Sequence, residues 1–122
     1  MADRSTLVAL GALNAAISVA AGAFAAHGLK ERLSTRGLEI FETGARYHMY
    51  HALAMVLAGL LVARGVGATG AGWLFQAGIV VFSGSLYALA LTDTKVLGAI
   101  TPIGGLAFLG GWLWLAWAAW RG

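Results

Sequence analysis

Four stretches of this chain hold no Asp, Glu, Lys or Arg: Ser5 to Leu29, Tyr47 to Ala63, Gly65 to Thr92 and Val96 to Trp120. A bilayer core is about 30 Å thick, so a helix crosses it in roughly 20 apolar residues at 1.5 Å each. No water is available there, so backbone N–H and C=O groups must pair within the segment, and runs of this length pair as helices. The stretches predict spans at approximately 6–26, 47–64, 72–91 and 98–120. The fold class expected is all-α: an integral membrane four-helix bundle, antiparallel, with a longer and partly helical first loop. Residues 1–122 form one four-span transmembrane domain.

Composition agrees. The chain is 60% hydrophobic and 11% charged, against about 25% charged for a soluble domain. It has no cysteine, which excludes disulfides, thiol catalysis and covalent haem attachment. The eight Lys/Arg are scattered, so no clustered basic face for nucleic acid exists. The start, MADRST before an apolar run ending AGAFAAHG, resembles a secretory signal. The run exceeds a signal core and carries small residues suited to packing, so a retained first helix is expected.

The first loop, GLKERLSTRGLEIFETGAR, is long; GVGATGA and TDTKVL are short, which makes spans two–three and three–four antiparallel hairpins. The first loop and TDTKVL then share one membrane face, B, and the termini share face A with GVGATGA. Leu38, Phe41, Ala45, His48 and Ala52 recur at three- and four-residue steps, so the second helix begins near Arg36. A helix over 36–64 would be about 43 Å long and must tilt, protrude or break near Gly44. Glu42 and Arg46 stand at i,i+4 on it. Face B carries Lys30, Arg32, Arg36, Arg46 and Lys95 against Arg4, Arg64 and Arg121 on face A, a small excess that favours B as cytoplasmic.

Helices in lipid associate by close packing of small residues. Gly11, Ala15, Ser18, Gly22 and Ala26 make such a stripe in the first span; Gly78 and Gly84 serve the third, and Gly104, Gly105 and Gly111 the fourth, where Pro102 falls near the first turn. These faces suit either helix packing or a homo-oligomer. Trp73, Trp112, Trp114, Trp117 and Trp120 gather toward face A as an interfacial belt.

The polar residues gather at the opposite face. His27 ends span one; Glu42, Tyr47, His48, Tyr50 and His51 open span two; Tyr87 closes span three and Thr101 opens span four, with Ser83 and Ser85 deeper. Asn14 and Gln76 are the strongest polar groups within the spans. The bland reading is a collar of amphipathic rings at the membrane surface. A metal site would use His48 and His51 at i,i+3 with His27 or Glu42, although HExxH and all cysteine motifs are missing. A b-type haem would need His27 as the ligand opposite His48 or His51. Proton-coupled transport is disfavoured by the lack of a carboxylate near the midplane.

GAFAAHGLK at 22–30, FETGARYHMYHALA at 41–54, FSGSLYALALT at 82–92 and LGAITPIGGLAFLGGW at 97–112 resemble domain-of-unknown-function family 423. These are small bacterial inner-membrane proteins similar to the eukaryotic transmembrane protein 256. The resemblance implies a four-helix protein of the bacterial inner (cell) membrane. It brings no catalytic or binding residues.

The expectation is a non-enzymatic structural or accessory membrane component, with no cofactor and no nucleic-acid partner, working with the lipid bilayer and a homo-oligomer or membrane protein partner. The alternative is a small-solute, metal or cofactor-binding membrane protein, channel- or transporter-like, whose site comprises His27, Glu42, Tyr47, His48, His51, Ser83, Ser85, Tyr87 and Thr101.

Overall fold

The computed structural model describes residues 2–122. Four helices account for nearly all of them: α1, Ala2–His27; α2, Thr35–Ala63; α3, Thr69–Thr92; and α4, Leu97–Arg121. No strand occurs among the described residues. Three of the helices, Asp3–His27, Thr69–Thr92 and Leu97–Arg121, are long and apolar enough to cross a membrane. The second expected span, 47–64, lies in a helix that falls short of that apolarity, because Tyr47, His48, Tyr50 and His51 all sit at its start.

Local signals set the helix ends. Ser34 Oγ accepts the Gly37 N–H at 3.0 Å and caps α2, which begins at Thr35, one residue before the expected start. α2 then runs unbroken through Gly44. It ends in a left-handed Gly65 (φ 87°), with Val66 N–H donating to Leu61 O and Gly65 N–H to Val62 O, a closure that glycine permits at no steric cost. α3 ends in a left-handed Asp93 (φ 55°) whose N–H returns to Leu89 O. Pro102 sits in the second turn of α4 rather than its first; the helix continues past it.

α1 lies along α2 over most of its length, and α4 lies along α3. Gly59 meets Arg4 and Val8, and Gly11 meets Ala52 and Val56, so α1 and α2 run in opposite senses. The glycines divide between contacts within the chain and open faces. Gly11, Gly78, Gly104 and Gly111 are contact points: a Cβ on Gly11 would stand 2.8 Å from Ala52 O, and on Gly111 2.6 Å from the Phe75 ring. Gly22 and Gly84 face open space, and Gly105 barely touches Phe82. Gly44, Gly59 and Gly72, absent from the forecast, pack against Tyr87, Val8 and Leu7. Ser18 is buried and returns its hydroxyl to Ala15 O within its own helix.

Two apolar clusters result. One, around Leu7, Met55, Ala58, Ala71, Phe75, Phe108 and Leu115, fills the end near the α2–α3 turn. The other, Ala25, Leu29, Phe41 and Ala90, closes the end near the α1–α2 loop. Outside, Val19, Val80, Leu106 and Leu113 are each more than 60% exposed, a surface that water would not tolerate but lipid tails would.

Within α3, Ile79–Ser83 forms a π-helical turn. Such a turn holds one residue more than an α-turn, so it rotates everything beyond it around the helix axis. It is seated where Phe82 presents its backbone to Gly104 of α4: a Cβ there would come within 2.7 Å of Phe82 Cα.

Candidate functional site

A chain of hydrogen bonds crosses three helices between the two clusters. Asn14 Nδ2 donates to Gln76 Oε1 at 2.9 Å and to Leu10 O at 2.9 Å. Asn14 Oδ1 faces His48 Nε2 at 2.9 Å, and His48 Nδ1 faces the Tyr87 hydroxyl at 2.9 Å. Chemistry settles the protons. An amide oxygen only accepts, so His48 Nε2 carries a hydrogen, and the neutral ring takes the Tyr87 O–H on Nδ1.

His51 is arranged the other way. The Trp112 indole N–H only donates, and it reaches His51 Nε2 at 3.0 Å. Nε2 is therefore bare, and Nδ1–H donates to Tyr47 O at 2.7 Å. The ring lies flat on Phe108, with centroids 3.5 Å apart and planes 5° from parallel. The two histidines are both 4% exposed, three residues apart, and hold opposite tautomers.

Both lie at mid-helix and inside the bundle rather than at a helix end. His48 bonds Asn14, at the middle of α1 (Ala2–His27), and His51 stacks on Phe108, near the middle of α4 (Leu97–Arg121). Hydropathy put both at the membrane surface because the apolar run of α2 begins there. Pairing with α1 makes residues near 50 the centre of α2. His27, at the end of α1, lies about 20 Å further along that helix at 1.5 Å per residue.

The remaining candidates divide. Ser83 is fully buried, and its hydroxyl donates to Gly44 O at 2.7 Å, tying the π-turn to α2. Ser85 and Thr101 share a 2.6 Å hydroxyl contact between α3 and α4. Tyr47 and Tyr50 pack edge to face on the outer side of α2. Glu42 is exposed beside Arg46, Ser18 and Gly22 in a recess of about 260 Å³. His27 is exposed too. Neither joins His48 and His51, and among the described residues no three His, Asp or Glu side chains gather closely enough to hold a metal ion. A haem between His27 and His48 fails on the same separation.

Sequence reasoning left Asn14, Gln76, Trp112 and Phe108 out of the site. The first two carried a signal, since unexplained amides in apolar spans need partners. Trp112 carried a misleading one. It was expected in an interfacial belt, yet its N–H is used by His51, and the Trp114 N–H likewise caps Gly67 O.

An apolar groove of about 650 Å³ runs beside His51 on the outer surface, lined by Tyr47, Tyr50, Phe82, Pro102 and Trp112 among others. Every buried side-chain N or O among the described residues has a partner.

A family model described as "Protein of unknown function (DUF423)" matches residues 21–105. The chain belongs to this family. Its relatives include the UPF0382 membrane protein YwdK of Bacillus subtilis, 49% identical over 115 residues that cover 92% of this chain and 94% of the relative. A UPF0382 membrane protein of Staphylococcus epidermidis is 51% identical over 107 residues, covering 87% and 88%. No solved structure matches. With its apolar helices, this DUF423 chain is a membrane protein with transmembrane helices. The DUF423 match contains His48, His51, Gln76, Ser83, Tyr87 and Thr101, whereas Asn14 and Trp112 fall outside it.

Proposed function

We propose that the chain is an antiparallel, four-span protein of the bacterial inner membrane that acts as a non-enzymatic structural or accessory component. The observation that carries this reading is the closure of the buried polar network. Asn14, His48 and Tyr87 are bonded to one another, Gln76 Oε1 accepts from Asn14, and both nitrogens of His51 are taken by Tyr47 and Trp112. A ligand site keeps donors, acceptors or a metal-binding lone pair for its ligand; here those of both buried histidines are spent within the chain. In lipid such bonds act as interhelical glue of roughly 0.6 kcal/mol each, up to about 1.7. Hydrophobic burial between helices contributes little there, so the network supplies register. α2 then completes the set of four spans, its histidines turned inward and Tyr47, Tyr50, Leu53, Leu57 and Leu60 outward.

The small-residue faces differ in what they leave for a partner. Gly111 is filled by Phe75 of the same chain, whereas Gly22 is open. A second copy or another membrane protein would dock at Gly22, and Gly22→Leu would then reduce the particle size in detergent.

The test of the leading reading is a UV–visible spectrum with elemental analysis on protein purified in mild detergent without added metal. A colourless, metal-free protein is expected. A Soret band or near-stoichiometric metal that disappears in His48→Ala or His51→Ala overturns it.

One observation favours the small-solute or cofactor-binding reading: the groove beside His51, whose aromatic walls suit a flat apolar molecule that enters from the lipid. A single small molecule co-purifying with the wild type and lost from Phe82→Ala would support that reading.

A further inference from the structure

A second pocket of about 650 Å³ lies at face B, remote from His48 and His51. It is built from the α1–α2 loop, the first turns of α2 and the α3–α4 connection. Arg32, Arg36 and Lys95 line it, with Asp93 as the one acidic residue in the lining. Lys30, Glu31 and Glu39 are close in sequence but do not line it. Ser34 takes only the Gly37 N–H, so the Arg36 N–H, also in the first turn of α2, has no acceptor within the helix.

Two features define what would fill it. The first is depth. Arg36 stands twelve residues before His48, about 18 Å along α2. His48 lies near mid-depth and half the hydrocarbon core is about 15 Å, so the three cations stand at the level of lipid headgroups. The second is the lining beneath them. Leu33, Ile40, Leu89, Ala90 and Leu91 continue the pocket as an apolar wall, and Leu91 is 52% exposed. Cations above apolar side chains match an amphiphile whose negative charge sits on top of its hydrocarbon. A free phosphate would use the first feature and leave the second unexplained.

We propose that this pocket binds the headgroup of an anionic phospholipid, its phosphate held by Arg32, Arg36 and Lys95 and its glycerol and upper acyl carbons against Leu33, Ile40 and Leu91. The lipid would bridge the α1–α2 loop and the α3–α4 connection above the apolar cluster at this end. This inference rests on the membrane-spanning reading. Alkaline carbonate extraction tests that reading separately, because a protein that stays in the membrane but shows no lipid selectivity fails only here.

The experiment is native mass spectrometry of the full chain released from nanodiscs of equal phosphatidylglycerol and phosphatidylcholine. Two net cationic charges at the membrane surface correspond to a preference of about thirtyfold for retained phosphatidylglycerol. The triple variant R32Q/R36Q/K95Q is expected to lose that preference, and R4Q/R64Q/R121Q, altered at the opposite end, to keep it. Melting in neutral detergent checks that the triple variant folds. If it does not, K95Q alone is read, with an expected loss of about fivefold. No preference in the wild type overturns the proposal, as does an undiminished preference in the variant or an equal loss in the distal control. A second arm adds inorganic phosphate to lipid-free protein. Stabilisation by phosphate that vanishes in R32Q/R36Q/K95Q, without lipid selectivity, overturns the lipid assignment in favour of a soluble anion.

Discussion

His48 and His51 occupy neighbouring turns of α2 and are equally buried, yet their surroundings differ in kind. His48 stands in a polar chain that reaches α1 through Asn14 and α3 through Tyr87. His51 stands in an aromatic nest of Phe75, Phe108 and Trp112, with a single indole bond across to α4. The first is held by direction, since its partners define which nitrogen carries the hydrogen and where the ring points. The second is held by area, its ring flat on Phe108. The consequence is a division of labour: His48 sets the register of α1, α2 and α3, and His51 seats α4.

The strongest way to break the aromatic half is Gly104→Leu, which drives a side chain into the backbone at Phe82 and lifts α4, with Phe108, off His51. Overpacking of this kind costs about 1–3 kcal/mol, and unfolding in detergent monitored by circular dichroism should register it. An unchanged midpoint would mean that the π-turn contact is not structural.

The polar half breaks next. Asn14→Leu leaves His48 Nε2–H and Gln76 Oε1 without partners in a region no water reaches, for an expected loss of about 1–2 kcal/mol. Adding His48→Leu should cost much less than its single-mutant value, because the bond is already gone. Strict additivity in that cycle would show Asn14 and His48 acting independently.

A direct comparison sharpens the contrast. His51→Phe keeps an aromatic ring over Phe108 and loses the Trp112 bond, its one bond to another helix, together with the Nδ1–H bond to Tyr47 O inside α2, so its cost should stay near about 1 kcal/mol. His48→Phe loses its bonds to two other helices, through Asn14 and Tyr87, and should be the more damaging of the pair. The reverse ranking would undo the division described above. The gentlest test changes nothing in the protein: 15N spectra of histidine-labelled material should report an Nε2–H tautomer for His48 and an Nδ1–H tautomer for His51. Identical tautomers would contradict the donor and acceptor assignments.

Much of this architecture was legible in the residues. Charge-free runs located three of the spans well, and the polar blocks near 48 and 83–87 do meet. The first small-residue stripe splits in two. Gly11 and Gly22 lie on the same helix, yet one is pressed against Ala52 and Val56 and the other against nothing. Spacing cannot distinguish them, because contact depends on where the facing helix diverges. Depth was misjudged for a related reason. Hydropathy equates the first polar residue of a run with the membrane surface, and in α2 that rule placed buried, partnered histidines at the doorway.

The sequence alone therefore determined the class of molecule, its helices and their order, because a backbone out of water must pair with itself and charges mark where it may leave. Only the tertiary structure decided that RYHMYHALAM places one histidine in a hydrogen-bonded chain and the next on a phenylalanine. Those outcomes depend on partners 34 to 61 residues distant, each worth about 1 kcal/mol, and on one π-turn that rotates Ser83 and Tyr87 toward α2.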